Sequence, residues 1–318
     1  MSYTFPPLSD IHLLLHHNDA DGGLAALALR RAIQEESGRV VPLCWADYHT
    51  QAINNLNVLA VTTPHLYTID VRLFPGVPGM DHHDTSRSWY DPACHILDLA
   101  APSCFGLMLD VLDRRDTWPE EIVRYVDWMD AGTYPSVEEA VGLESLGQQF
   151  IAIFARLPFE RAMAELWQRP DAEAFVAAHH STLSQIRRDV EILRKDMARR
   201  GRLEGRVVVW DSRDVIRDHG IRQGAINPFL LSAVYPQADY VIRIRPDGHM
   251  IIGHNPWGNP SEHIGALCET LCDPETGTRG GGKAQVGGAP YTPETLQKAL
   301  QVLNGRRKAG EQAEGTRH

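Results

Sequence analysis

Apolar positions in the first hundred residues change period repeatedly. Residues 11–15 (IHLLL) form a short continuous apolar run, the mark of a buried strand, and stop at the polar cluster HHNDADGG. An Ala/Leu-rich stretch over 24–36 then carries helical spacing. Strand-like pieces follow at 39–45, 58–62 and 65–69, and Gly79-Met80 leads into DHHDT. Alternating strand and helix signals predict a parallel α/β sheet, in which ligands collect beyond the carboxyl ends of the strands. The polar clusters fall at those ends.

The middle of the chain is helical in spacing. Residues 102–112, 119–129, 137–168 and 171–200 read as helices, the last ending in the basic, Gly-containing linker KDMARRGRLEGR. A second α/β unit begins at Val207 (VVVW). It includes a helix over 227–235, a hairpin YVIRIRPDGHMIIGH around Pro-Asp-Gly, the Gly-rich RGGGKAQVGG and a helix over 293–303. The tail over 305–318 is polar and predicted to be disordered. No repeat of solenoid type is visible.

Composition narrows the class. The chain has 318 residues, 43% apolar and 23% charged, an ordinary globular balance that suggests about two domains. No apolar run approaches the ~20 residues of a membrane span. The start, MSYTFPPLSD, lacks a basic stretch followed by an apolar one, so no secretory signal is expected. Five scattered cysteines then suggest free thiols in a reducing cytoplasm. A net charge of −10 argues against stable duplex-DNA binding, which needs phosphates neutralised. A small phosphate-bearing substrate stays compatible, because divalent metals supply positive charge locally.

Four clusters carry the candidate chemistry. His17, Asp19 and Asp21 alternate, so an extended or loop backbone puts them on one side. Asp70 closes HLYTID, Asp81-His82-His83-Asp84 follows the next strand, and Asp127 and Asp130 lie near a helix end. Carboxylates and imidazoles at this density repel one another unless a cation joins them. Hard oxygen donors with a few imidazoles suit Mn²⁺ or Mg²⁺. Two ions ~3.5–4 Å apart, bridged by a carboxylate, activate water and clamp a phosphoryl group. No cysteine is near these clusters in sequence, which argues against structural zinc. Asp81 reads as orienting His82 from outside the ligand shell. His16 reads as a part-buried neighbour of His17, and Trp45, Trp89, Trp128 and Trp257 read as core.

These residues carry a resemblance. HNDADG, the isolated Asp70, DHH at 81–83 and the Asp127/Asp130 segment resemble the four motifs of the DHH phosphoesterase superfamily. GGGKAQVGG resembles the GGGHxxAAG element of the associated DHHA1 domain, in the family's order. The resemblance covers about residues 10–135 and 207–303. It implies an α/β protein of two domains, a parallel-sheet DHH domain with a helical connector (1–200) and a smaller DHHA1-like substrate domain (207–304), with a cleft between them. It also implies two Mn²⁺ ions, Mg²⁺ being an alternative. His17 and Asp19 would hold one ion, Asp21 and His82 the other, and Asp70 would bridge them. His83 would contact phosphate and help protonate the leaving oxygen. The fourth motif selects Asp127 when aligned with exonuclease-like members and Asp130 when aligned with small-phosphodiesterase members; Asp127 is the first choice.

Departures from the family pattern bear on the substrate. Gly280, Gly281 and Gly282 let backbone approach phosphate closely, but Lys283 stands where the family has His. Gly253-His254-Asn255 occupy the place of a usual Ser and Arg, with Arg243 and Arg245 on the preceding strand. The expected activity is hydrolysis of phosphodiester bonds in short oligonucleotides or small nucleotides, with His254 and Lys283 as substrate contacts. The alternatives are a 5′-to-3′ single-strand exonuclease and a non-catalytic nucleotide-binding protein. Composition leaves the oligomeric state open, a homodimer included.

Overall fold

The structure, a computed structural model, describes residues 5–46, 63, 65–222 and 226–305. The strand expected at 58–62 and nearly all of the 305–318 tail lie outside the described residues. Contacts divide the chain into two compact units, Met1–Thr133 with Leu143–Leu183, and Tyr134–Gly142 with Ser184–His318.

In the first unit the apolar run becomes β1 (Leu13–His17), and Asp19 caps α1 (Ala20–Ser37) by accepting from the Gly22 N–H. A Cβ at Gly22 would lie 2.9 Å from the His17 backbone, so the glycine lets helix and strand meet closely. β2 (Leu43–Ala46), β3 (Leu66–Ile69), β4 (Gly79–Asp81) and β5 (His95–Leu97) join β1 in a parallel sheet of order β2-β1-β3-β4-β5 among the described residues. α2 (Cys104–Val111) and α3 (Glu120–Ala131) follow. α1 is buried along most of its length because Ala, Gly and Leu fill its first three turns. The mixed period of strand and helix thus gives the α/β class expected.

The stretch read as one helix over 137–168 is three. α4 (Val137–Val141) stops at extended Gly142, and Ser145 starts α5 (Leu146–Arg156) with a capping box to Gln148. Pro158 then opens α6 (Phe159–Gln168). The 171–200 stretch also breaks, at His179, into α7 (Ala172–Ala178) and α8 (His180–Arg200). His179 is buried against Phe175 and pairs with Glu165 at 2.5 Å, so tertiary contacts set that break.

The second unit is built on β6 (Arg202–Glu204), β7 (Val207–Asp211), α9 (Arg213–His219), α10 (Leu230–Val234), β8 (Tyr240–Ile244), β9 (His249–His254), α11 (Ile264–Glu269), β10 (Gly281–Gly282), β11 (Val286–Pro290) and α12 (Pro293–Gly305). The sheet order is β10-β11-β9-β8-β7-β6, antiparallel except for β7 beside β8. Tyr240, Ile242, Met250 and Ile252 turn to one face and join Ile264, Leu267, Leu300 and Leu303 in its core.

The glycine-rich segment has a packing reason. A Cβ at Gly280 would overlap the carbonyl oxygens of Gly288 and Cys268, whereas one at Gly281 meets nothing within 4 Å. Gly280→Ala is therefore expected to destabilise the protein by about 1–3 kcal/mol, and Gly281→Ala by under about 0.5 kcal/mol. Urea unfolding midpoints check this; equal midpoints for the two variants would contradict the packing argument.

Candidate metal centre

Strand register assembles the site. His16 pairs with Ile69 across β1 and β3, and Ile69 pairs with Met80 across β3 and β4. His17, Asp70 and Asp81 are the next residues of the three chains and emerge in one row at the carboxyl ends. A Cβ at Gly79 would overlap the Thr68 hydroxyl, so glycine lets β4 lie close to β3. Asp70 turns off its strand in the left-handed region at φ 56°, a conformation uncommon outside glycine but tolerated by Asp.

Seven side chains converge. His17 Nδ1 lies 2.8 Å from Asp19 and 3.6 Å from Asp70. His82 Nε2 lies 2.9 Å from Asp130, 3.8 Å from Asp21 and 3.9 Å from Asp70. His83 Nδ1 lies 3.5 Å from Asp70. Among the described residues, ligand atoms come within 4.8 Å of one another in the groups Asp21/Asp70/His82/Cys104, His82/His83/Asp130, His17/Asp19/Asp70 and Asp70/Asp81/His83. Asp70 belongs to three of these.

Supporting hydrogen bonds fix each ring. His82 Nδ1 donates to the Ala101 carbonyl at 3.0 Å, which turns Nε2 towards the carboxylates. Asp81 accepts from His83 Nδ1 at 2.7 Å, from the His82 and His83 amides and from the Ser86 hydroxyl. Asp81 thus orients the ring of His83, not that of His82 as the sequence suggested. Asp21 accepts from the Cys104 and Phe105 amides at 2.8 and 2.7 Å, at the N-terminal end of α2.

Burial makes the electrostatics severe. The side chains of Asp21, Asp70 and Asp130 are 0%, 1% and 10% exposed. Desolvation and the neighbouring carboxylates push Asp21 well above the usual range and Asp70 up to about 6. Burial lowers His17 and His82, but hydrogen bonds to Asp19 and Asp130 outweigh it and raise them to about 11 and about 10.

The donor set fits divalent ions. Carboxylate oxygens and imidazole nitrogens within a few ångströms, held by outer hydrogen bonds, suit Mn²⁺ or Mg²⁺. Cys104 is a correction: remote in sequence, it brings a sulfur into the Asp21/Asp70/His82 group. Burial and the carboxylates around it push its thiol pKa well up. Only its position at the start of α2, against Asp21, signals it.

The remaining candidates sit as follows. Asp127 accepts from the Ser103 hydroxyl at 2.5 Å and belongs to none of the groups above, whereas Asp130 does. Alternation does not place Asp19 and Asp21 together, because the helix starts between them: Asp19 is its cap and Asp21 lies in its first turn. In the second unit His254 Nε2 is bound to the Glu262 carbonyl at 2.7 Å, and the Lys283 amide donates to the Val286 carbonyl at 2.8 Å. Trp45 and Trp89, read as core, are 43% and 41% exposed; Trp89 stacks on Arg72.

No family model and no curated protein matches the sequence. Solved structures do match. A pGpG-specific phosphodiesterase, PggH from Vibrio cholerae, is similar at 18% identity and TM-score 0.59, over 92% of this chain and 98% of that one. RecJ from Thermus thermophilus in complex with Mn²⁺ is similar at 15% identity and TM-score 0.60, over 95% of this chain and 54% of that one. A DHH domain from a member of a family of ribosomal proteins is similar at 13% identity and TM-score 0.61, over 95% of this chain and 88% of that one. The chain shares its fold with these solved structures. No helix among the described residues is long and apolar enough to cross a membrane.

His16, behind the site, gives a pH test. It is 1% exposed, and burial holds its pKa down to about 4 from 6.5. The neutral ring's stability is complete above pH 6.5 and is lost as pH falls towards 4, because only the unfolded chain takes up the proton readily. Wild type is expected to lose about 3 kcal/mol more than His16→Phe across that window. Denaturant unfolding at each pH measures it; parallel acid limbs would show that the native ring is already charged.

Proposed function

We propose that this chain is a metal-dependent phosphoesterase that hydrolyses phosphodiester bonds in short oligonucleotides or small nucleotides. The observation that carries the reading is the convergence of His17, His82, His83, Asp19 and Asp21 on the buried Asp70. Two divalent ions held there, Mn²⁺ or alternatively Mg²⁺, would lower the pKa of water and offset the charge developing on phosphorus.

The residues divide the work. His17, Asp19 and Asp70 would hold one ion, and Asp21, His82, Asp130 and Asp70 the other. Asp130 is preferred to Asp127, because Asp130 shares its group with His82 while Asp127 is engaged by Ser103. His83 donates Nδ1–H to Asp81, which leaves Nε2 to contact phosphate and to hold a proton for the leaving oxygen. In the second unit Gly280–Gly282, Lys283 and His254 contact substrate, Lys283 as a point charge.

The likeness to PggH supports small substrates. PggH, named as acting on pGpG, is matched over nearly its whole length, whereas this chain spans about half of RecJ. The likeness to RecJ keeps the single-strand exonuclease as the second reading.

With Mn²⁺, a linear dinucleotide such as pGpG is expected to turn over at least about tenfold faster than a long 5′-phosphorylated single strand. Asp70→Asn and Asp130→Asn should each lower kcat about 10²-fold or more, and Asp127→Asn under about tenfold. Product release by chromatography measures all three. The reverse order of strands selects the exonuclease. The reverse order of variants returns the fourth ligand to Asp127. Bound metal without turnover of any phosphodiester overturns the enzyme in favour of a binding protein.

A further inference from the structure

The two ion positions do not offer the same donors. His17, Asp19 and Asp70 supply one imidazole and two carboxylates. The group of Asp21, Asp70, His82 and Cys104 adds a sulfur, and its four ligand atoms lie within 4.8 Å of one another. Metal–ligand bonds of ~2.0–2.3 Å let one ion reach all four after modest side-chain movement.

Cys104 is fully buried and is the first residue of α2, directly after the cap Ser103. Its amide donates to Asp21 at 2.8 Å, so the backbone holds it against one of its partners. A helix start favours an anion, a thiolate included. The carboxylates around Cys104 oppose a thiolate, but a divalent ion offsets their charge. A coordinating thiol gives up its proton outright, and that proton leaves to solvent.

Tyr67 points the same way. It lies on β3, is 1% exposed, and its hydroxyl has no hydrogen-bond partner among the described residues. Burial, and after it the neighbouring Cys104, push its pKa well up. A buried O–H without an acceptor costs free energy. A thiol is a weak acceptor, whereas a thiolate beside the ring supplies a charged one.

We propose that the Asp21/Asp70/His82 position takes Cys104 Sγ as a fourth donor and prefers a thiophilic divalent ion such as Zn²⁺, while the His17/Asp19/Asp70 position keeps a hard ion. Sulfur donors select Zn²⁺ over Mn²⁺ or Mg²⁺. The Tyr67 hydroxyl donates to the metal-bound thiolate, which makes Tyr67 a positioning residue and not a ligand. The inference rests on the metal-centre reading and deepens it by making the ion pair a mixed one.

The test titrates Co²⁺, a coloured stand-in for Zn²⁺, into the metal-free full chain, followed by absorption and calorimetry. A near-ultraviolet sulfur-to-cobalt charge-transfer band is expected in wild type and lost in Cys104→Ser. Tyr67→Phe should keep the band and move it to longer wavelength, because the sulfur loses a hydrogen bond; a hydroxyl that only packs would leave it in place. Cys104→Ser should weaken Zn²⁺ binding at least about tenfold and leave Mn²⁺ binding in place. If Cys104→Ser does not fold, X-ray absorption of wild type with one equivalent of Zn²⁺ carries the test, with one sulfur expected at ~2.3 Å and absent in Asp21→Asn. Bound Co²⁺ without the band, a band kept in Cys104→Ser, or a zinc shell without sulfur overturns the proposal and leaves the metal centre standing. An unmoved band in Tyr67→Phe overturns the role of Tyr67. A chain that binds neither Co²⁺ nor Mn²⁺ overturns the metal-centre reading itself and the proposal with it.

Discussion

The first unit depends on keeping Asp21, Asp70 and Asp130 buried around one point. Like charges in a low-dielectric site repel strongly, and each has also lost its water. Two answers are available without unfolding: protonation, or positive charge brought in. The raised pKa of Asp70 and the raised pKa values of His17 and His82 are both answers at once. A divalent cation relieves the repulsion more completely than an imidazolium, because it brings two charges to the shared oxygen atoms. The geometry is therefore an ion-binding geometry before any question of catalysis arises.

What holds such a cluster together is the sheet. Parallel strands in register deliver His17, Asp70 and Asp81 side by side with no freedom to separate, and backbone ladder bonds do not weaken with the cluster's charge. Around that row, each contact removes one degree of freedom. Ala101 fixes one face of His82, Asp81 fixes His83, and the amides of Cys104 and Phe105 fix Asp21. The last of these also explains why Asp21 is tolerated at zero exposure: two N–H groups at a helix start offset part of its charge.

Much of this was legible from residue order. Strand ends, the HNDADG cluster, isolated Asp70 and DHH gave both the fold class and the neighbourhood of the site, because parallel sheets put polar clusters at carboxyl ends. Three features were not legible. Alternation in HNDADG reads as extended chain, yet Asp19 is a helix cap, and alternation alone does not separate a strand end from a cap followed by a first helical turn. Asp127 and Asp130 lie three apart on one helix, so only the neighbour each meets, Ser103 or His82, separates them. Cys104 enters through tertiary packing of α2 on α1, which no local spacing encodes.

The second unit poses the opposite electrostatic problem on a chain of net charge −10. Overall charge repels small anions at long range, but screening confines that repulsion to about 10 Å at ordinary salt. Within that distance local groups decide. Arg243 sits on an apolar face with Ser212 as its hydrogen-bonded support and with Asp247 already taken by Arg245. An acidic surface therefore does not weaken a buried guanidinium's demand for an acceptor.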